Sequence, residues 1–161
     1  IKIYSIRPAT VCGYSKNMRL DVSVNMFVYQ ALSKKKINVL GGSQVRPNIY
    51  ISDLCRVFIH FLKRNLRPGA YNAGFENLKI KDLAKKISKK TNCKINYIKQ
   101  TNDPRSYRQD SSKLLKTKFK PNYNVDYAID ELIEKFRLKK IKISKKLFRI
   151  NYMKKFVLKN E

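Results

Sequence analysis

An α/β fold is predicted for this 161-residue chain by three features of its sequence. Short apolar segments with the two-residue period of strands alternate with longer segments of helical period. Gly or Pro punctuates several of the junctions. Hydrophobic residues make up 43 % of the chain, with 10 Tyr and 8 Phe among them, which is the composition of a packed core and not of a disordered chain. One domain is expected, since domains commonly run about 100–150 residues.

Residues 1–6 (IKIYSI) alternate and read as a strand ending at Arg7-Pro8, with Ile1, Ile3 and Ile6 set for burial. The first residue is Ile, not Met, so the strand reads as entered in mid-fold and the chain as a fragment. A loop with Gly13, Tyr14, Ser15 and Asn17 follows. A helix is expected from Asp21, its apolar face Val24, Phe27, Val28, Ala31 and Leu32, running to the lysines at 34–36. Residues 37–40 form a short strand broken by Gly41-Gly42, and residues 48–51 form another. Ser52 is the expected N-cap of an amphipathic helix, with Asp53 in its first turn and Leu54, Val57, Phe58, Phe61 and Leu62 as its apolar face. Pro68-Gly69 marks a turn, residues 71–74 a strand, and Ile80, Leu83, Ala84 and Ile87 a helix from about Lys79. Residues 95–98 read as a strand, 103–105 as part of a polar loop, 111–115 as a short helix and 126–138 as the last strong helix. Beyond 138 the pattern fades. Residues 1–138 are therefore the expected domain, and 139–161 a basic extension that packs on or tethers to something.

The net charge is +26, with 37 Lys and Arg against 11 acids. That balance suits nucleic acid or another anionic surface. The charge is mostly lysine, however, spread along a chain rich in Ile and Asn, which also fits compositional drift; nucleic-acid affinity is then expected to be non-specific and salt-sensitive. Cys12, Cys55 and Cys93 form no metal-binding spacing, and Cys55 is expected in the core. His60, between Ile59 and Phe61, reads as structural. No segment approaches the roughly 20 apolar residues that span a bilayer, and nothing resembles a signal peptide. A soluble cytoplasmic protein without a membrane partner is the expectation.

Three motifs sit at the junctions of these elements. The first is Arg7-Pro8-Ala9-Thr10-Val11-Cys12-Gly13. The second runs from Gly42 through Arg46 to Asp53-Leu54. The third is Asp103-Pro104-Arg105-Ser106-Tyr107-Arg108-Gln109-Asp110-Ser111-Ser112-Lys113-Leu114, continued in phase by Phe119 and Pro121. In this order the motifs resemble the LRxxxVYG, GxxxRxxxxVxDL and DxRxYxxDxSK blocks of extended short-chain dehydrogenases, the NAD(P)-dependent nucleotide-sugar epimerases and dehydratases. The resemblance covers about residues 1–138. It implies the C-terminal, substrate-binding lobe of that fold with the last strands of an NAD(P)-binding Rossmann sheet.

The resemblance also implies roles. Pro8 and Ala9 would lie against the nicotinamide of NAD or NADP, and Thr10 would face the sugar. Arg46 and Arg105 would clamp the diphosphate of a nucleotide-diphospho-sugar, for which guanidinium geometry is suited. Asn25 is a further substrate candidate; Tyr50 reads as packing, Asp110 as a helix cap and Arg7 as an anchor of the first strand. Cys12 and Tyr14 depart from the family's usual Tyr and Pro. No catalytic residue is expected in this chain, because no lysine stands four residues after any of its tyrosines, whereas the family's base is a Tyr-x-x-x-Lys pair. The five glycines form no dinucleotide-binding turn either. Both features would belong to a preceding N-terminal half, which is thus the expected partner, with a homodimer as the family's common assembly. The rival expectations are a basic nucleic-acid-associated protein and a catalytically degenerate family member.

Overall fold

The computed structural model describes residues 1–99 and 105–157, with side chains to Lys154. Strands β1 (Tyr4–Pro8) and β2 (Thr10–Cys12) lead through a loop to helix α1 (Ser23–Lys34), followed by β3 (Lys36–Leu40), β4 (Val45–Tyr50) and α2 (Ile51–Lys63). Next come β5 (Gly69–Ala73), β6 (Glu76–Lys79), α3 (Ile80–Thr91) and β7 (Lys94–Ile98). Helices α4 (Ser112–Leu115) and α5 (Val125–Arg137), a 3-10 turn (Lys145–Leu147) and α6 (Arg149–Val157) complete the order. The fold is mixed α/β, as the sequence predicts. Three pairings, β1 with β5, β2 with β4 and β3 with β7, are parallel, while β4 and β6 run antiparallel.

Two cores form on these sheets. Val24, Phe27, Val28 and Ala31 of α1 pack with Leu83, Ala84 and Ile87 of α3, with Ile129 and Leu132 of α5 and with Ile37 and Val39 of β3. The expected face of α1 is thus the buried one. The second core joins Ile49, Val57, Phe61, Tyr71, Leu114 and Phe119. Helix α5 begins one residue before the expected start, where the Asn124 side chain accepts the Tyr127 N–H at 2.9 Å.

Several expectations are corrected. Ile1 and Ile3 are exposed, because β1 begins only at Tyr4 and its described partner is β5 alone. Helix α1 starts at Ser23 and not at Asp21. The Asp21 carboxylate is instead engaged by Arg19 and by the Ile150 N–H. Helix α2 starts at Ile51, so Ser52 lies inside its first turn and makes no cap hydrogen bond. Its buried row is Asp53, Val57 and Phe61, while Cys55, Phe58, Ile59 and Leu62 face outward. Both faces of this helix are apolar, so periodicity alone could not say which one the sheet covers. Residues 76–79 form an unforeseen strand, and the basic extension is folded as far as Val157; its last residues, 158–161, lie outside the described residues, as do Asp103 and Pro104 of the polar loop.

The junction of β6 and α5 is pH-sensitive. Glu76, half-buried, accepts the Val125 N–H at the start of α5. Burial pushes its carboxyl above the ordinary glutamate value, outweighing that hydrogen bond. A carboxyl with a raised folded pKa holds its proton more tightly when folded, so this group stabilises the fold at low pH. That contribution is lost as pH rises through its folded value. Glu76→Gln, which retains an acceptor for Val125, is expected to raise the melting temperature at neutral pH and to flatten that dependence. Thermal melts between about pH 4 and 7, spanning the ordinary glutamate range and above, check this; equal pH slopes in the two proteins would refute it.

Candidate functional site

β1 and β2 are separated only by Ala9, whose N–H donates to the Ala73 carbonyl at 2.8 Å. This stitches the end of β1 to the end of β5 while the chain passes to the neighbouring sheet, where Thr10 lies opposite Asn48 of β4. A cavity of about 400 Å³ opens at this transition, lined by Pro8, Ala9, Thr10, Pro47, Tyr107, Arg108 and Gln109. All three motifs contribute to it.

The third motif is laid across the second by hydrogen bonds. The Tyr107 N–H donates to the Val45 carbonyl at 3.3 Å, and the Ser106 hydroxyl accepts the Val45 N–H at 3.0 Å. Gln109 and Asn77 exchange two hydrogen bonds, at 2.9 and 3.2 Å. Arg46 donates to the carbonyls of Val45 and Arg105, and its guanidinium lies 5.0 Å from the centre of the Tyr107 ring. The backbone carrying Arg105, itself exposed, is therefore held at Arg46. Arg46 and Arg105, read in the sequence as distant loop residues, are brought together beside the cavity.

Gly74 packs against two of the lining residues, Ala9 and Gln109. Its N–H donates to the Ser111 hydroxyl at 2.9 Å, and that hydroxyl donates to the Gly74 carbonyl at 2.8 Å. A Cβ here would sit 2.3 Å from Gln109 Oε1 and 2.5 Å from the Ala9 Cβ. Gln109 in turn donates from Nε2 to the Arg7 carbonyl at 2.9 Å. Gly74→Ala is expected to cost about 1–3 kcal/mol by overpacking and to push Gln109 off Arg7. A denaturant melt measures the loss, and an unchanged midpoint would show that the contact relaxes freely.

The remaining sequence candidates lie elsewhere. Asn25 is buried on α1, with its amide engaged by the Gly13 N–H at 3.0 Å and the Arg19 carbonyl at 2.9 Å. It holds the loop after β2 and does not line the cavity. Tyr50 is buried against the rings of Tyr123 and Tyr127. Burial pushes its phenol up to about 12, which suits packing and not proton transfer. Asp110 accepts the Ser112 N–H at 2.8 Å, but it stands one residue before Ser111, the N-cap of α4. His60 lies 2.8 Å from the Thr117 hydroxyl. Thr117 spends its proton on the Leu114 carbonyl, so His60 is the donor through Nε2, and burial holds its pKa below the usual histidine value.

Three residues stand out that the sequence did not single out for these positions. Tyr107 and Gln109 line the cavity; the first is the aromatic position of the third motif, and the second falls on one of its unspecified positions. Asp53, the acid of the second motif and in sequence a first-turn acid of α2, is fully buried and ties the second motif to the end of the third. Its carboxylate accepts the N–H groups of Asn122 and Tyr123 at 2.9–3.1 Å and pairs with Arg56 at 2.5 Å.

The sequence profile of the NAD dependent epimerase/dehydratase family matches residues 1–74. Solved structures share the fold along most of the chain. The UDP-N-acetylglucosamine 4-epimerase of Methanobrevibacter ruminantium M1 superposes with a TM-score of 0.74 at 20 % identity, over 86 % of this chain and 47 % of its own. The UDP-glucose 4-epimerase of Thermotoga maritima gives 0.74 at 19 % identity, over 88 % and 48 %. The UDP-glucuronic acid 4-epimerase of Bacillus cereus gives 0.73 at 23 %, over 86 % and 46 %. The chain spans about half the length of the structures it matches.

Proposed function

We propose that this chain supplies the sugar-nucleotide pocket of an NAD(P)-dependent nucleotide-diphospho-sugar epimerase or dehydratase. The observation that carries the reading is the cavity where the three motifs converge, with Pro8, Ala9 and Thr10 on one wall and Tyr107 on another, beside the Arg46 guanidinium. In this reading Arg46 and Arg105 bind the diphosphate, Thr10 faces the sugar, and Asn25 holds the loop after β2 in place. Binding of the remote nucleotide then positions the sugar carbon for reaction.

Pro8 and Ala9 are uncharged and compact, and they fit the flat face of a nicotinamide ring. Among the described residues no Gly-rich turn joins a strand to a helix, so the remainder of NAD or NADP would be held by a further half of the fold. That cofactor, when bound, supplies reversible hydride acceptance. The outward apolar row of α2, with Phe58 50 %, Ile59 48 % and Leu62 87 % exposed, supports such a missing half, as does the single described partner of β1.

The test is calorimetric titration of the chain with UDP-sugars, UDP and uridine. Affinity that depends on the diphosphate, with no reduction of NAD by the chain alone, is the expected result. A folded chain indifferent to every nucleoside-diphospho-sugar, or one that turns substrate over unaided, would overturn the proposal.

A further inference from the structure

The basic charge is not evenly spread. Residues 139–161 hold nine Lys or Arg and one acid, while the other 138 residues hold 28 and 10. The described part of this segment is anchored to the body. Leu147 is buried, and its carbonyl accepts the Leu20 N–H at 2.8 Å. Phe148 packs edge-on to Tyr29, with ring centres 5.6 Å apart. Asp21 accepts the Ile150 N–H at 2.7 Å, holding the first turn of α6.

These contacts set which way α6 faces. Phe148 and Tyr152 lie at least partly against the body, while Ile150 and Met153, three residues apart on a helix, are 51 % and 56 % exposed. In the sequence Val157 continues that spacing. Arg149 and Lys154 stand on either side of the row by helical position, and Lys145 and Lys146 precede it, both exposed. An outward apolar row with cations on both flanks is the pattern of a helix that lies in a membrane interface, with its apolar side chains among acyl chains and its cations near anionic headgroups.

We propose that α6 with its preceding basic turn docks the protein on anionic lipid surfaces. The absence of a helix long and apolar enough to cross a membrane among the described residues does not bear on this, because a surface-bound helix needs neither property. Nucleic acid explains the cations but leaves the Ile150–Met153 row without a use, since its binding is dominated by phosphate contacts.

The test is co-sedimentation of the 161-residue chain with vesicles of equimolar phosphatidylcholine and phosphatidylserine, against phosphatidylcholine alone. It is run at about 0.15 M ionic strength, where screening beyond ~8 Å limits diffuse attraction. The parent is expected to bind the mixed vesicles preferentially. Ile150→Gln/Met153→Gln leaves the charge unchanged and alters only exposed side chains, so its thermal melt should match the parent. Its vesicle affinity should fall about tenfold or more, the effect of losing two apolar insertions, while its affinity for a single-stranded oligonucleotide should not change. Equal vesicle binding by parent and double variant would reduce the effect to polycation attraction and overturn the proposal. Parallel losses on vesicles and oligonucleotide would overturn it too.

Discussion

Arg46→Ala is expected to weaken binding of a nucleoside-diphospho-sugar by about 2–3 kcal/mol, roughly 30- to 150-fold, the range for charge-assisted hydrogen bonds to an anion. The guanidinium already lies over Tyr107 and is tied to two carbonyls. It is therefore pre-oriented, and little ordering cost falls on the binding step. Arg46→Lys should recover only a small part, because an ammonium neither stacks on the ring nor presents a planar fork. Arg105→Ala should lower affinity less, since its side chain is exposed and works in a more hydrated setting. Titration calorimetry with UDP and a UDP-sugar reads all three variants. If Arg46→Ala binds like the parent while remaining folded, the diphosphate role of this residue is refuted.

Asp53→Ala is expected to destabilise the fold by about 3 kcal/mol, because it strands the N–H groups of Asn122 and Tyr123 that its buried carboxylate satisfies. For a chain of this length that is a fall of roughly 6–12 °C in melting temperature. Arg56, whose side chain is 35 % exposed, can turn to water and adds less to the loss. Asp53→Asn keeps one acceptor oxygen and should cost less than the alanine. Differential scanning calorimetry ranks the three proteins. A melting temperature for Asp53→Ala within a degree or two of the parent would show that the carboxylate is not holding residues 122–123 in place.

Much of this architecture was legible because its physical cause is local. The four residues Val24, Phe27, Val28 and Ala31 recur at helical spacing, and they are the buried face of α1. Gly41 and Gly42 both have positive φ where they end β3, the backbone conformation that glycine adopts without steric cost. The grouping of the candidate residues was legible in part. Pro8, Ala9 and Thr10 share one cavity wall, and Arg46 meets the backbone of Arg105 beside it. Asn25 went elsewhere, because the loop after β2 needed an amide to satisfy Gly13 and Arg19, and no local pattern announces such a need.

By itself the sequence determined most of the element types, the α/β class and the three motifs, since period, turn chemistry and residue type act over a few neighbouring positions. Only the tertiary structure decided which face of an element that is apolar on both sides would be covered. It put Val57 and Phe61 inward and left Cys55, Phe58 and Leu62 outside, and it chose Leu147 to anchor a tail in which the sequence pattern fades. It also set Tyr107 under Arg46 and Asp53 under residues 122–123. Burial and hydrogen-bond satisfaction at such places depend on segments 60 or 70 residues apart in the chain, as the separations of Arg46 from Tyr107 and of Asp53 from Tyr123 show. Their cause is the packing of whole elements, which no window of sequence contains.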